Sequence, residues 1–231
     1  RLIPGEDTTI EYKPKYLDPS LISQSPSIAI GQAKQEIIRM GEYSVQGLQE
    51  AMQHINKYDK KHVNTVAQIE EAINSLDQKT TEYLVSISKK SLSGHDSKVH
   101  NILLENIRDI ERIGDHMENL IELTEFIENN GAQLSEEAMQ ELNGMLELVV
   151  ETVSLAIQSL DQLDVEAAKQ VLANEDQIDQ MERKLRKNHI VRLNNGICTG
   201  YAGVIFVDII SNLERVGDHA TNIAQSVIEV K

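Results

Sequence analysis

Two stretches decide the fold: Glu111-Arg112-Ile113-Gly114-Asp115-His116-Met117-Glu118-Asn119-Leu120 and, 103 positions later, Glu214-Arg215-Val216-Gly217-Asp218-His219-Ala220-Thr221-Asn222-Ile223. Six of the ten positions are identical. Apolar residues fall three and four apart in both, the spacing of an amphipathic helix. Working outward, an offset of 105 aligns Asp59 with Asp164, Val66 with Val171, Glu70 with Glu175 and Ile73 with Ile178. Self-similarity at a nearly fixed period marks a duplicated helical unit, with the two offsets differing only by two loop residues.

Each unit reads as three helices. Ile30, Ile37, Met40, Leu48, Met52 and Ile55 predict a first helix from Ser27 to Lys57. Asp59 then stands as an N-cap before Val63, Val66, Ile69, Ile73 and Leu76, and Ser91-Leu92-Ser93-Gly94 ends that run. Val99 to Phe126 forms the third, stopped by Asn129-Asn130-Gly131. Leu134 to Leu160, Asp164 to Ile190 and a last helix after Asn194-Asn195-Gly196 repeat the plan. The expected fold is all-α, a six-helix bundle of two three-helix repeats: residues 1–24 a linker or N-terminal extension, 25–130 repeat one, 131–231 repeat two. The absence of Trp and the presence of only two Phe fit helices better than a β-sandwich.

Charge and composition narrow the function. With 37 acidic against 22 basic residues, the net charge of −15 opposes nucleic acid and anionic lipid as partners. One cysteine, Cys198, allows no intrachain disulfide and no Cys-pair zinc site, fits a reducing compartment, and reads as a packing residue rather than a nucleophile. No run of about 18 apolar residues is present. The sequence begins at Arg1, and Arg1 to Pro19 has no helical period.

The repeated decamer carries the chemistry. Glu111, Asp115 and Asn119 are spaced i, i+4, i+8, as are Glu214, Asp218 and Asn222, giving two oxygen rows. If the repeats meet about a pseudo-twofold axis, four carboxylates converge, and cations such as Mg, Mn, Ca or Fe would neutralise them. Glu175 and Asp179 would extend the cluster in repeat two, whereas repeat one has Glu70 and Asn74. A single E-x-x-x-D is common on solvated helix faces; its recurrence in register with Arg, Gly, His and Asn is what argues for a site. Gly114 and Gly217 each cost roughly 1 kcal/mol against Ala inside a helix, which points to close approach or room for a ligand. His116 and His219 project about 100° from the Asp row and suit structural hydrogen bonds; Arg112 and Arg215 suit pairing with neighbouring carboxylates. No phosphate loop, H-E-x-x-H, G-x-S-x-G or paired-Cys set is present, so the role expected is not enzymatic.

The paired E-R-[IV]-G-D-H-x-x-N-[IL] motifs resemble the signature of the PhoU family over about 200 residues. The resemblance implies a bundle of two three-helix repeats and a multinuclear metal cluster of Fe, Zn, Mn or Mg on Glu111, Asp115, Glu214 and Asp218, with Glu175, Asp179, Asn119 and Asn222 as further ligands. Lys15-Tyr16-Leu17-Asp18-Pro19 and Arg192-Leu193-Asn194-Asn195-Gly196-Ile197-Cys198 through Phe206 resemble, more narrowly, the C-terminal cytoplasmic PhoU region of bacterial Na/Pi cotransporters. That resemblance implies a membrane-associated, metal-binding domain that regulates sodium-dependent phosphate transport and homeostasis. Its partner would be an N-terminal transmembrane transporter domain of the same chain at the inner or plasma membrane, with a homodimer left open. The alternative reading is a freestanding PhoU-type adaptor acting on an ABC phosphate transporter and a sensor kinase.

Overall fold

A computed structural model describes residues 10–131, 133–198 and 200–230. Among them are seven helices: α1 (Leu21–Gln24), α2 (Pro26–Asn56), α3 (Lys60–Ile87), α4 (Gly94–Asn129), α5 (Glu136–Gln162), α6 (Val165–Asn194) and α7 (Gly200–Val230). Six are long and one is a four-residue turn, so the count differs from the six expected. The extra turn ends at Ser25, which lies outside the helical region (φ −155°, ψ 86°) as proline disfavours helical backbone in the residue before it, and Pro26 then opens α2.

Helix ends follow local chemistry. The side chains of Asp59, Ser93, Ser135 and Asp164 each accept a hydrogen bond from a backbone N–H of the first turn that follows. Gly131 and Gly196 take the left-handed conformation (φ 60° and 68°) just beyond α4 and α6. Leu163 does the same without glycine (φ 51°), in the two-residue connection between α5 and α6.

Packing sorts the long helices into two sets. α2, α3 and α4 contact one another, as do α5, α6 and α7; α4 with α7 and α2 with α5 join the sets. The core is mainly aliphatic, with Ile37, Leu48, Ile73, Leu103, Ile110, Val149, Ile178 and Leu213 buried beside the aromatic Phe206. No helix among the described residues is long and apolar enough to cross a membrane.

Residues 1–9 of the segment read as a linker lie outside the described residues. From Ile10 onward the segment crosses α2 and α3. Buried Glu36 accepts from the backbone N–H groups of Lys15 (2.8 Å) and Tyr16 (3.0 Å), and Arg39, paired with Glu36, donates to the carbonyls of Lys13 and Glu11. Tyr83 of α3 donates to Asp18 O (2.9 Å). Cys198 is partly exposed rather than buried.

Candidate functional site

The repeated decamer distributes its residues over three surroundings. Its glycines lie against equivalent isoleucines: a Cβ on Gly114 would stand 3.4 Å from Ile73 and one on Gly217 would stand 3.2 Å from Ile178. That is helix packing of α4 on α3 and of α7 on α6. The close approach expected of these glycines is therefore met by a side chain of the preceding helix.

The carboxylates face the preceding helix of their own set. Burial and then Asp115 raise the Glu111 carboxyl above its ordinary value, with Asp77 of α3 adding to it. Burial, Asp218 and then Asp179 and Glu182 of α6 raise Glu214. Glu175 is raised by burial, then by Asp179 and Asp218; Asp218 by burial, then by Asp179. The carboxylates acting on Glu111 thus belong to α3 and α4, and those acting on Glu214 to α6 and α7. Two separate acidic faces result, and arginines answer part of each. Arg112 bonds Asp115 at 2.9 Å and lies 3.6 Å from Glu111; Arg183 bonds Asp179 at 2.8 Å; Arg186 pairs with Glu182.

The histidines and asparagines form the seam between α4 and α7. His116 Nδ1 donates to Asn212 Oδ1 (2.8 Å), which Asn119 Nδ2 also approaches (3.4 Å). In the mirrored arrangement, His219 Nδ1 and Asn222 Nδ2 both donate to Asp109 Oδ1, at 2.8 and 2.9 Å. The two imidazole rings lie 5.7 Å apart. Burial holds His116 below the usual histidine value. Asp109 and Asn212, themselves 103 positions apart, went unnoticed in the sequence because they lie outside the decamer and differ in type.

This geometry corrects the metal assignment. Among the described residues, no group of three or more His, Cys, Asp or Glu side chains could hold a metal ion. The residues do not fit the multinuclear Fe, Zn, Mn or Mg cluster implied by resemblance, for two physical reasons. At 100° per residue an i, i+4, i+8 series turns about 40° per step, so Asn119 and Asn222 rotate off the carboxylate face and into the seam. The carboxylates that act on Glu111 lie on α3 and α4 and those that act on Glu214 on α6 and α7, so the two rows are not one four-carboxylate cluster, and Arg112 and Arg183 pair with Asp115 and Asp179.

The chain is thus an all-α bundle of two like sets of helices joined by a polar seam. Residues 37–124 and 142–227 match the PhoU domain, and the chain belongs to the PhoU family. It is 24% identical to PhoU homolog 1 of Thermotoga maritima, a phosphate-specific transport system accessory protein, over 86% of this chain and 85% of that one. The crystal structure of PhoU from Pseudomonas aeruginosa superposes with a TM-score of 0.80 at 20% identity, covering 87% of this chain and 95% of that one. A Salmonella typhimurium protein named for inorganic phosphate export, YjbB, is 20% identical over 94% of this chain but 40% of its own length. PhoU-family proteins are regulatory, non-catalytic adaptors, and the chain is not an enzyme.

The family assignment stands, and the narrower resemblance is corrected. The relatives that match over most of both lengths are phosphate-specific transport system accessory proteins, not Na/Pi cotransporters. The sodium-dependent function, the transmembrane partner domain and the placement as a cytoplasmic domain of a membrane protein rested on that narrower resemblance and lose its support. The short motifs around Tyr16 and Arg192 that suggested them are accounted for by packing: the first is fastened to Glu36, and the second places Arg192 against Glu141 (2.8 Å) and the Phe206 ring.

Proposed function

We propose that the chain is a PhoU-type phosphate-signalling adaptor that restrains an ABC phosphate transporter and its sensor kinase through protein contacts. What supports this most is likeness over most of both chains to accessory proteins of phosphate-specific transport systems. The bundle is read as two three-helix repeats, 25–130 and 131–231, with 1–24 as an N-terminal extension carrying the short α1. Within it, Glu111 and Asp115, and Glu214, Asp218, Glu175 and Asp179, serve as two acidic recognition faces, while Asn119 and Asn222 fix the angle between the repeats.

Disrupting the coding sequence in its source cell and following labelled phosphate uptake in phosphate-rich medium tests the reading. Uptake should rise and return to its former level when the chain is supplied in trans. Unchanged uptake in the disrupted strain would sink the proposal.

A further inference from the structure

An open groove of about 740 Å³ runs between the C-terminal half of α4 and the N-terminal half of α7. Leu123, Phe126, Tyr201 and Val204 line it. Phe126, Tyr201 and Val204 are 43%, 52% and 65% exposed, and the two aromatic rings stack with centroids 5.2 Å apart. Exposed aromatic and aliphatic side chains gathered in a concavity are the usual mark of a binding surface. The duplication supplies an internal control. At the offset of 103, Phe126, Tyr201 and Val204 correspond to Glu229, Lys98 and Asn101, all exposed and polar. The same helix pair in the other orientation is therefore an ordinary solvated surface, and the apolar lining is particular to one end of the seam.

The geometry points to an amphipathic, positively charged helix of a partner protein as the occupant of this groove. This deepens the adaptor reading and rests on it. From Tyr201 to Arg215 the groove follows α7 for about 21 Å, roughly four helical turns. That length suits anchors at i, i+3, i+4 and i+7 laid between two helices. Glu122 and Asp208 also line the groove, on a chain of net charge −15. Such a field draws a basic segment and repels a second copy of this chain. At the far end stands Arg215. Its counterpart Arg112 is engaged with Asp115, whereas Arg215 makes no ion pair among the described residues. It can take the C-terminal carbonyls of an incoming helix.

The test is selection of random 16-residue peptides on the full chain at physiological ionic strength, followed by fluorescence anisotropy on the strongest binder. Selected sequences should carry apolar residues at helical intervals and net positive charge. Affinity should fall by roughly tenfold or more in a Phe126→Glu/Tyr201→Lys/Val204→Asn variant, which copies the polar counterpart, and also in Glu122→Lys/Asp208→Lys. Both variants change exposed positions, and melting curves matching the parent show that they fold. The inference is overturned by acidic selected sequences, by no enrichment, or by equal affinity for parent and variants. A dimer of the parent that becomes monomeric in the triple variant would overturn it too, making a second copy the occupant. None of these failures touches phosphate uptake, on which the adaptor reading is judged.

Discussion

Position 84 in α3 and position 189 in α6 occupy the same place in the duplicated sequence, 105 residues apart, and hold opposite kinds of side chain. Leu84 and, one turn on, Ile87 are wholly buried aliphatics. Their counterparts His189 and Arg192 are equally deep, at 0% and 5% exposure. The His189 ring stacks on Phe206 at 4.6 Å with neither nitrogen hydrogen-bonded, and Nε and Nη2 of Arg192 are likewise unpaired while Nη1 reaches Glu141. The first half places its own histidine across the gap instead: His100 of α4 bonds Leu84 O at 2.8 Å, where the second half has Gly203. Duplication has kept the packing frame and exchanged which helix contributes the ring. Only the first half gives that ring a partner.

Moving the ring into the first half should have the largest effect. Leu84→His loses aliphatic packing and buries an unpaired imidazole, an expected loss of about 3–5 kcal/mol in urea denaturation. A loss below about 1 kcal/mol would mean that the two positions are not equally closed. Removing Asp109, the acceptor shared by His219 and Asn222, should cost less: Asp109→Ala is expected to lower stability by about 1–3 kcal/mol. Asn212→Ala should cost a similar amount if the seam is as symmetric as its distances.

The reciprocal change, His189→Leu, should raise stability by about 1 kcal/mol at neutral pH by removing two unpaired ring nitrogens. Its pH dependence sharpens the point. Burial, and then Arg192, hold His189 below its ordinary 6.5. The unfolded chain therefore binds the proton more readily, so the neutral ring's contribution is complete above about 6.5 and is lost as pH falls through the lower folded value. Thermal unfolding from pH 7.5 to 5 should show a shallower acid decline in His189→Leu than in the parent. Parallel curves would rule out this ring as the titrating group.

The smallest expected effect separates the acidic faces. Glu214→Gln should stabilise by a few tenths of a kcal/mol at neutral pH by relieving its i, i+4 repulsion with Asp218. Glu111→Gln should gain less, since Arg112 already lies beside Glu111 and Asp115. Glu214 is raised above its ordinary 4.5, so the strain it brings appears as pH rises through the folded value. The gain in Glu214→Gln should accordingly disappear as pH falls toward 4.5, and a gain that persists there would place its origin elsewhere.

Much of this arrangement could be read along the chain. The repeated decamer, the Asp59 and Asp164 caps and the glycines ending α4 and α6 are local features, and local spacing is enough to read them. The family was legible too, because six residues in fixed register recur. The faces of the decamer were not. Glu111, Asp115 and Asn119 look like one row in a list of spacings, yet helical rotation sends the carboxylates toward α3 and the amide toward α7.

What the sequence by itself determined is therefore the periodic part of this protein: helix positions, their ends, the duplication, and the net acidic charge. Periodicity and capping act over a few residues, so they survive without knowledge of neighbours. Tertiary structure alone decided which helix each face meets. It set Asp109 and Asn212 as acceptors for the two seam histidines, gave Arg112 an ion pair with Asp115 that Arg215 does not match among the described residues, and left Phe126 and Tyr201 stacked in an open groove. These outcomes depend on crossing angles between helices some 100 residues apart in sequence, which no local pattern encodes.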